Sequence, residues 1–383
     1  MSAFWFLYYS SASSLIQRLA LARSHHSLTV IDNKAYVFGG EQPNGQLCSS
    51  DVHVVSLPLD TTTEVDYACY PAIPLQEAGS GETYIPKPRR RHAAYARGRF
   101  LVIHGGCDDT GTPIADSCLW LWDTHSLKWN KVDAVTQLGK TLTPRFDHHI
   151  FIDETQDILV LHGGRTNSGQ EQSSETWLYA FDTLAWTELP AAAAPPTAAA
   201  LVNNVLYTIS RASDMSGSIH FLNLGPNATE REKPNALAWQ TVEFPVNPLT
   251  PGPQPREGAG LVPVSTGVGR YYLVYFFGAQ HGSDSTSRPM FSDVWSLQLP
   301  SSALTLAGLK DKIRERIPHA ESGALSWAEV DILPVEQLDH EGKAHPGPRS
   351  YFGAAAAGGK TVVLWGGVSA KGKEGDGWML QVQ

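Results

Sequence analysis

The chain has 383 residues, 42% hydrophobic and 17% charged, with a net charge of −9. That balance suits a globular protein with room for two average domains or one large all-β domain. The acidic charge excludes a nucleic-acid surface, since Arg89-Arg90-Arg91 is the densest basic spot, and no apolar run approaches the ~20 residues of a membrane span.

The opening stretch, MSAFWFLYYSSAS, has no charged side chain before Arg18. It lacks the basic leader of a secretion signal, and Tyr8, Tyr9, Ser10 and Ser11 break the apolar run early. It therefore reads as part of the fold, with a cytoplasmic location as the expectation. Of the four cysteines, Cys48, Cys69, Cys107 and Cys118, none has CxxC spacing, so no zinc site is indicated. Cys107 and Cys118 flank one loop and could pair, or all four could be reduced structural thiols. Asn227-Ala228-Thr229 matches a glycosylation sequon, which matters only in a secreted chain.

From Arg23 onwards one pattern recurs. The first unit runs ARSHHSLTV, a tight turn at Asp32-Asn33, AYVFGGE and SDVHVVSL. The second runs PRRRHAAYA, FLVIHGGC and SCLWLWD, followed by Trp129; the third PRFDHHIFI, DILVLHGGR and ETWLYAFD, followed by Trp186. The fourth, PPTAAALV, VLYTISR and GSIHFLNL with Trp239, has lost both glycines. The fifth, PREGAGLV, LVYFFGA and SDVWSLQL, reaches Trp327 only after an insertion at 301–319. There Leu304, Leu306, Leu309, Ile313 and Ile317 predict a short surface helix. The sixth, PRSYFGAAA, TVVLWGGV and DGWMLQV, stops at Gln383 without a Trp-bearing fourth strand. The linkers at 71–88 and 245–255 are Pro- and Gly-rich and are expected to loop over the rim.

Four short strands per ~50-residue unit make the blade of a β-propeller. The Gly-Gly pairs, apolar third strands and spaced tryptophans resemble the kelch repeat over nearly the whole chain. The expected fold is all-β: one six-bladed kelch-type propeller with blades at about 23–70, 89–132, 145–189, 197–244, 256–330 and 349–383 plus 3–7. The segment AFWFL at 3–7 supplies the missing strand, with Trp5 in the fourth-strand role, so that the ring closes without an open edge. Trp is wide enough to fill the gap between blades.

Strands alternate in direction, so the loops from second to third strand share a face with the starts of the first strands. These loops, at 41–50, 107–116, 165–175, 279–292 and 368–376, are long, whereas the turns on the other face are tight. The site is expected on the long-loop face, at the channel mouth. Five blades begin with Arg at one register: Arg23, Arg89, Arg145, Arg256 and Arg349, with Thr197 in the fourth. A ring of guanidinium groups suits carboxylate, phosphate or sulfate oxygens, though the same arginines could brace loops through carbonyls. The next register holds Ser24, Arg90, Phe146, Ala198, Glu257 and Ser350; the one after it His25, Arg91, Asp147, Ala199, Gly258 and Tyr351. Of these, His25, Asp147, Glu257 and Tyr351 are the candidate acid–base residues. His26, His92 and His148, and likewise His104 and His162, read as packing residues. No metal and no cofactor is expected.

The first unit, ARSHHSLTVIDNKAYVFGGEQP, resembles the first blade of plant nitrile-specifier and epithiospecifier proteins and of stand-alone fungal kelch proteins related to them. Arg23, Ser24, His26, Lys34, Tyr36, Gly39, Gly40, Glu41 and Pro43 carry the likeness. The plant proteins steer the breakdown of an unstable sulfated aglycone with ferrous iron. The resemblance implies sulfate-holding roles for Arg23 and Arg89. The chain departs from the family at its iron motif, since Glu, Asp and His never occur at four-residue steps in that order, so the usual iron site is not expected. Two functions follow. One is a non-redox enzyme, lyase or isomerase/cyclase in kind, that binds a small anionic molecule and performs elimination, isomerisation or cyclisation. The other is an interaction scaffold capturing an acidic peptide or a chain terminus.

Overall fold

A computed structural model describes residues 1–9, 21–58, 65–75, 84–116, 118–136, 142–166, 172–210, 218–225, 237–244, 252–254, 256–267, 269–280, 288–301, 325–333 and 344–383. Each repeat unit forms one antiparallel four-stranded sheet, with strands a to d running outward from the centre. In blade 1 these are Ser27–Ile31, Lys34–Phe38, Val52–Ser56 and Tyr67–Tyr70. In blade 2 they are Ala93–Arg97, Phe100–His104, Leu119–Asp123 and Lys128–Val132. Blade 3 has Phe146–Asp153, Ile158–Arg165, Thr176–Ala180 and Ala185–Leu189. Blade 4 has Pro196–Val202, Val205–Ser210, Ser218–Asn223 and Trp239–Glu243. Blade 5 has Gly260–Gly267, Arg270–Phe276, Val294–Gln298 and Trp327–Glu329. The a strands touch one another in ring order, the sixth returning to the first, so the six sheets surround one axis.

Blade 6 is built from both ends of the chain. Gly353–Ala356, Thr361–Trp365 and Gly377–Val382 supply strands a to c, and Ser2–Tyr9 supplies strand d. Ala3 lies opposite Val382 and Leu7 opposite Trp378, in an antiparallel ladder with a bulge before Tyr9. The ring therefore closes by strand pairing, as the count of strands required.

The core lies between blades rather than within them, because each sheet is covered on both faces. The b strands are accordingly near-continuous apolar runs, with Ala35, Val37 and Phe38, or Val362 through Trp365, all fully buried. The d-strand tryptophans fill the gaps. Trp129 packs edge-on against Phe38, with ring centroids 5.2 Å apart, and Trp239 meets His162 at 5.2 Å. Trp186 meets His104 at 5.7 Å and Trp5 stacks on Phe277 at 5.3 Å. In each pair the tryptophan reaches back to the blade before it. Trp327 likewise meets Phe244, just past strand d of blade 4, at 6.3 Å, and also Tyr275 of its own blade.

The a-to-b turns hold Asp32, Asn203 and Asn204 at positive φ, which Asp and Asn tolerate. The Gly-Gly pairs need glycine for a different reason. At Gly105 a Cβ would lie 2.4 Å from the Arg145 carbonyl and 2.6 Å from the His148 ring of the next blade. His26, His92 and His148 occupy this interblade space and are buried, which agrees with their packing role.

Three outer edges are covered by the linker that enters the blade. Residues Val135–Thr136 pair in parallel with Ala185 and Trp186, and Asp331–Ile332 with Ser2 and Ala3. At blade 2, Trp129 bridges Pro74, its N–H donating to the Ile73 carbonyl at 2.8 Å. These straps blunt edge strands that would otherwise template pairing with other chains. All four cysteines are free thiols. The helix expected over 301–319 and the sequon at Asn227 lie outside the described residues. Among the described residues no helix is long and apolar enough to cross a membrane.

Candidate functional site at the axial mouth

The five register arginines are not where the register alone suggested. Arg23, Arg89, Arg145, Arg256 and Arg349 are 0–1% exposed and lie inside the blade wall. Their Nη1 groups donate to carbonyls at the end of their own b strand: Gly39, Gly105, Gly163, Phe277 and Gly366, at 2.8–3.1 Å. In four blades a carboxylate at the start of strand c completes the site. Asp116 pairs with Arg89 at 2.7 Å, Glu175 with Arg145 at 2.8 Å, Asp293 with Arg256 at 2.6 Å and Asp376 with Arg349 at 2.7 Å. Arg23 instead meets His53 Nε2 at 3.0 Å. The backbone carbonyls of Arg89, Arg145, Arg349 and Arg23 accept the N–H of Gly40, Gly106, Gly278 and Gly367 from the preceding blade. Arg23, Arg89, Arg145 and Arg349 thus each staple two blades. The physical reason is the Gly-Gly turn, which exposes an orphan carbonyl and an orphan N–H at one spot.

A stability prediction follows for this brace. Arg349→Ala should cost about 3–5 kcal/mol, because it takes the guanidinium away from the nearly buried Asp376 carboxylate. Thermal denaturation checks it; an unchanged melting temperature would contradict the bracing role.

The groups that do reach the axis come from the register two residues further on. His25, Arg91, Asp147, Gly258 and Tyr351 all have φ between 54° and 62°. Their backbones form a necklace. The N–H of Arg91 donates to His25 O, that of Asp147 to Arg91 O, that of His25 to Tyr351 O and that of Tyr351 to Gly258 O, at 2.9–3.0 Å. The left-handed turn departs from strand pairing, and these residues line the mouth of an axial cavity of about 590 Å³. The necklace is incomplete at blade 4, where Ala199 stays within its strand opposite Thr208. Gly258 is constrained to glycine, since a Cβ there would lie 2.7 Å from the Tyr351 ring.

All four candidate acid–base residues, His25, Asp147, Glu257 and Tyr351, line this cavity, as do Thr197, Arg91, Arg165 and Gln172. Arg91 holds Asp147 by two bonds, Nε to Oδ1 at 2.7 Å and Nη2 to Oδ2, and its guanidinium lies 4.7 Å over the Phe146 ring. Arg165 Nε is 3.5 Å from the same carboxylate. Tyr351 donates to Glu257 Oε2 at 3.3 Å, and Arg288 meets that oxygen at 3.2 Å. His25 stacks on Tyr351 at 4.3 Å, with its Nδ1 3.1 Å from Ser24 Oγ. At the rim, Glu41 is clasped by Arg90 of blade 2 and Lys373 of blade 6.

Burial, reinforced by the Arg91 charge, pushes His25 down to about 4, so the ring is neutral at neutral pH. Burial, then the neighbouring Glu257 charge, raises the Tyr351 phenol to about 12, so it keeps its proton. Burial alone would raise Glu41, but the hydrogen bonds from Lys373 and Arg90 hold it below the usual carboxylate range. The mouth therefore carries fixed cations, carboxylates clasped by them, one neutral imidazole and one phenol. That set can bind an anion and move a proton. Among the described residues, no group of three or more His, Cys, Asp or Glu side chains is arranged to hold a metal ion.

No protein-family model matches the chain. It is 28% identical over 168 residues to acyl-CoA-binding domain-containing protein 5 of Arabidopsis thaliana, 44% of this chain and 22% of that protein. It is 32% identical over 108 residues to Kelch-like protein 36 of Mus musculus, 28% of this chain and 16% of that protein. A third match, 32% identical over 110 residues, is to tRNA wybutosine-synthesizing protein 2/3/4 of Oryza sativa subsp. japonica, 29% of this chain and 9% of that protein. These matches span under a quarter of each relative's own length. The solved structure of YjhT superposes with a TM-score of 0.56 at 11% identity, covering 95% of this chain and 94% of that one. With six four-stranded blades, closure by the N-terminal strand and recurrent Gly-Gly turns, the chain is a six-bladed β-propeller of the kelch type.

Proposed function

We propose that the axial cavity binds a small anionic molecule and converts it by non-redox proton transfer, as in an elimination, isomerisation or cyclisation. The observation that supports this reading is the necklace of left-handed residues, which turns His25, Arg91, Asp147 and Tyr351 into one cavity. Arg91 is the anion-holding group. Its bonds to Asp147 use Nε and Nη2, leaving Nη1 for a ligand. Arg23 and Arg89, the sulfate-holding residues implied by the nitrile-specifier resemblance, are buried in the brace, so the anion is assigned to Arg91 instead. Burial is the larger cause of the low proton affinity of His25 and the Arg91 charge the second; an anion beside the ring opposes the second and raises that affinity. His25 then serves as the base, with Asp147 orienting Arg91 and Tyr351 keeping its phenolic proton.

Thermal-shift titration with small carboxylates, phosphate and sulfate tests binding. A ligand held at ~100 times its dissociation constant should add ~2.7 kcal/mol. Arg91→Ala should weaken binding at least tenfold, as expected for a charge-assisted hydrogen bond. His25→Gln should leave binding within about threefold and abolish turnover. If no anion stabilises the chain, the second reading gains. That reading is capture of an acidic peptide or chain terminus at the same mouth, in keeping with the matches to segments of larger proteins.

A further inference from the structure

Resting on the anion reading, we infer that the ligand is an amphipathic monocarboxylate, whose single anionic head sits at the mouth and whose uncharged apolar body runs along the axis. The charge in the cavity is confined in two ways. Around the mouth, blades 6, 1, 2 and 3 supply Tyr351, His25, Arg91 and Asp147; blade 5 supplies Gly258 and Glu257, whose carboxylate meets Arg288, and blade 4 supplies Pro196 and Thr197. The head is therefore held by Arg91, in a mouth whose blade 4 sector, from Pro195 to Leu201, is uncharged. Along the axis, the a strands run from this polar mouth to a far ring made by Val30, Ala96, Phe151, Leu201, Pro263 and Ala356. Every blade contributes an apolar side chain to that ring. In blades 1, 2, 5 and 6 the separation is five residue steps, roughly 16 Å at the rise of a β-strand; Phe151 lies four steps beyond Asp147, and in blade 4 Leu201 lies two steps beyond Ala199.

Between the two rings the ionisable lining side chains are His26, His92, Tyr95, His148 and His149, and none of them adds charge at neutral pH, burial taking His26 well below its ordinary value. Burial pushes His92 down to about 3, His149 to about 4 and His148 well below its ordinary value, and it raises Tyr95. His149 also stacks on Phe151. A dianion or trianion would find cations at one end only, and its second charge would be desolvated against alanine, leucine and proline. A single carboxylate on an apolar body matches both ends.

Isothermal titration with sodium acetate, hexanoate, octanoate, succinate, citrate and inorganic phosphate tests this. In fully apolar surroundings each methylene tightens binding about fourfold. Main-chain groups on the a-strand edges reduce that gain, so octanoate should bind at least 30-fold more tightly than acetate. Leu201→Glu and Ala356→Glu, each placing a charge in the far ring, should each remove most of this preference while leaving acetate affinity within about twofold. Succinate, citrate or phosphate binding more tightly than octanoate overturns the inference but leaves the anion reading standing. An octanoate preference untouched by both far-ring variants also overturns it, because the tail then lies elsewhere. If none of the six anions binds, the anion reading itself fails, and this inference with it.

Discussion

Removal of residues 1–9 should leave a chain that is insoluble or rapidly cleaved by protease. The deleted segment is the whole d strand of blade 6, laddered from Ala3 opposite Val382 to Tyr9 opposite Gly377. It carries Trp5, 1% exposed and stacked on Phe277, and it bridges the clusters of blades 5 and 6 together with Val330, Val362 and Leu380. Trp5→Ala alone should cost about 3–5 kcal/mol, the range for truncating a large buried aromatic. A domain's net stability is only about 5–15 kcal/mol, so losing the ladder and Trp5 together consumes most of it. Two further effects act in the same direction: strand Gly377–Val382 becomes an unpaired edge, and Asp331–Ile332 loses its partner strand. Limited proteolysis and light scattering read the outcome. A peptide of residues 1–9 added in trans should restore protection, since every contact it makes is non-covalent. A truncated chain that melts like the full-length protein would refute the closure energetics argued here.

This closure was legible in the sequence because it is a matter of counting. Five units have a fourth strand or a place for one, the sixth stops at DGWMLQVQ, and AFWFL has the apolar character and the tryptophan to complete it. The blade pattern was legible because Gly-Gly recurs in blades 1, 2, 3 and 6, where the b strand leaves the sheet against a carbonyl, histidine or proline of the next blade. The straps on the outer edges were less visible. Val135–Thr136 and Asp331–Ile332 are two-residue pairings fixed by which linker passes which edge, and no periodicity announces them.

The site was legible in register but not in direction. Aligning the six a-strand starts singled out both the arginine column and the column two residues later. Nothing in the alignment shows that the first faces the wall and the second the axis. The missing physical fact is the left-handed φ at His25, Arg91, Asp147 and Tyr351, an uncommon conformation for residues with side chains. A signal for the brace was present in the sequence. An acidic residue stands two positions before a tryptophan at Glu175, Asp293 and Asp376, and the carboxylate accepts from the indole Nε1 of Trp177, Trp295 and Trp378 while pairing with the arginine. Wherever a guanidinium and a D-x-W or E-x-W step recur in the same unit, a buried pair is the simpler reading than a ligand ring.

Acidification should unfold the chain cooperatively, with a midpoint between about pH 4 and 5.5. Seven histidines, His26, His53, His92, His104, His148, His162 and His220, are less than 9% exposed. Burial pushes His53, His92, His104 and His162 down to about 3, takes His26 and His148 well below the ordinary value, and lowers His220. The geometry requires the neutral form at the closest contact, where His104 Nδ1 lies 2.9 Å from His148 Nε2, so that one nitrogen must accept. In the unfolded chain each imidazole takes up a proton near pH 6.5. Above that value neither state is protonated, and the stability contributed by burying neutral rings is complete. Below it the unfolded state binds protons that the folded state refuses, so stability falls with pH until the folded-state values near 3 are reached. Seven groups at about 1.4 kcal/mol per pH unit each give a slope on the order of 10 kcal/mol per unit, enough to erase a domain's stability within one to two units. Tryptophan fluorescence against pH reads this directly, because Trp129, Trp186 and Trp5 lie between blades. His92→Gln and His104→Gln should each be less stable at pH 7.5 through lost packing, yet show a shallower dependence on pH, which separates proton linkage from simple destabilisation. Native fluorescence persisting to pH 3.5 would mean that the buried histidines accept protons in place, contrary to the burial and pairing described above.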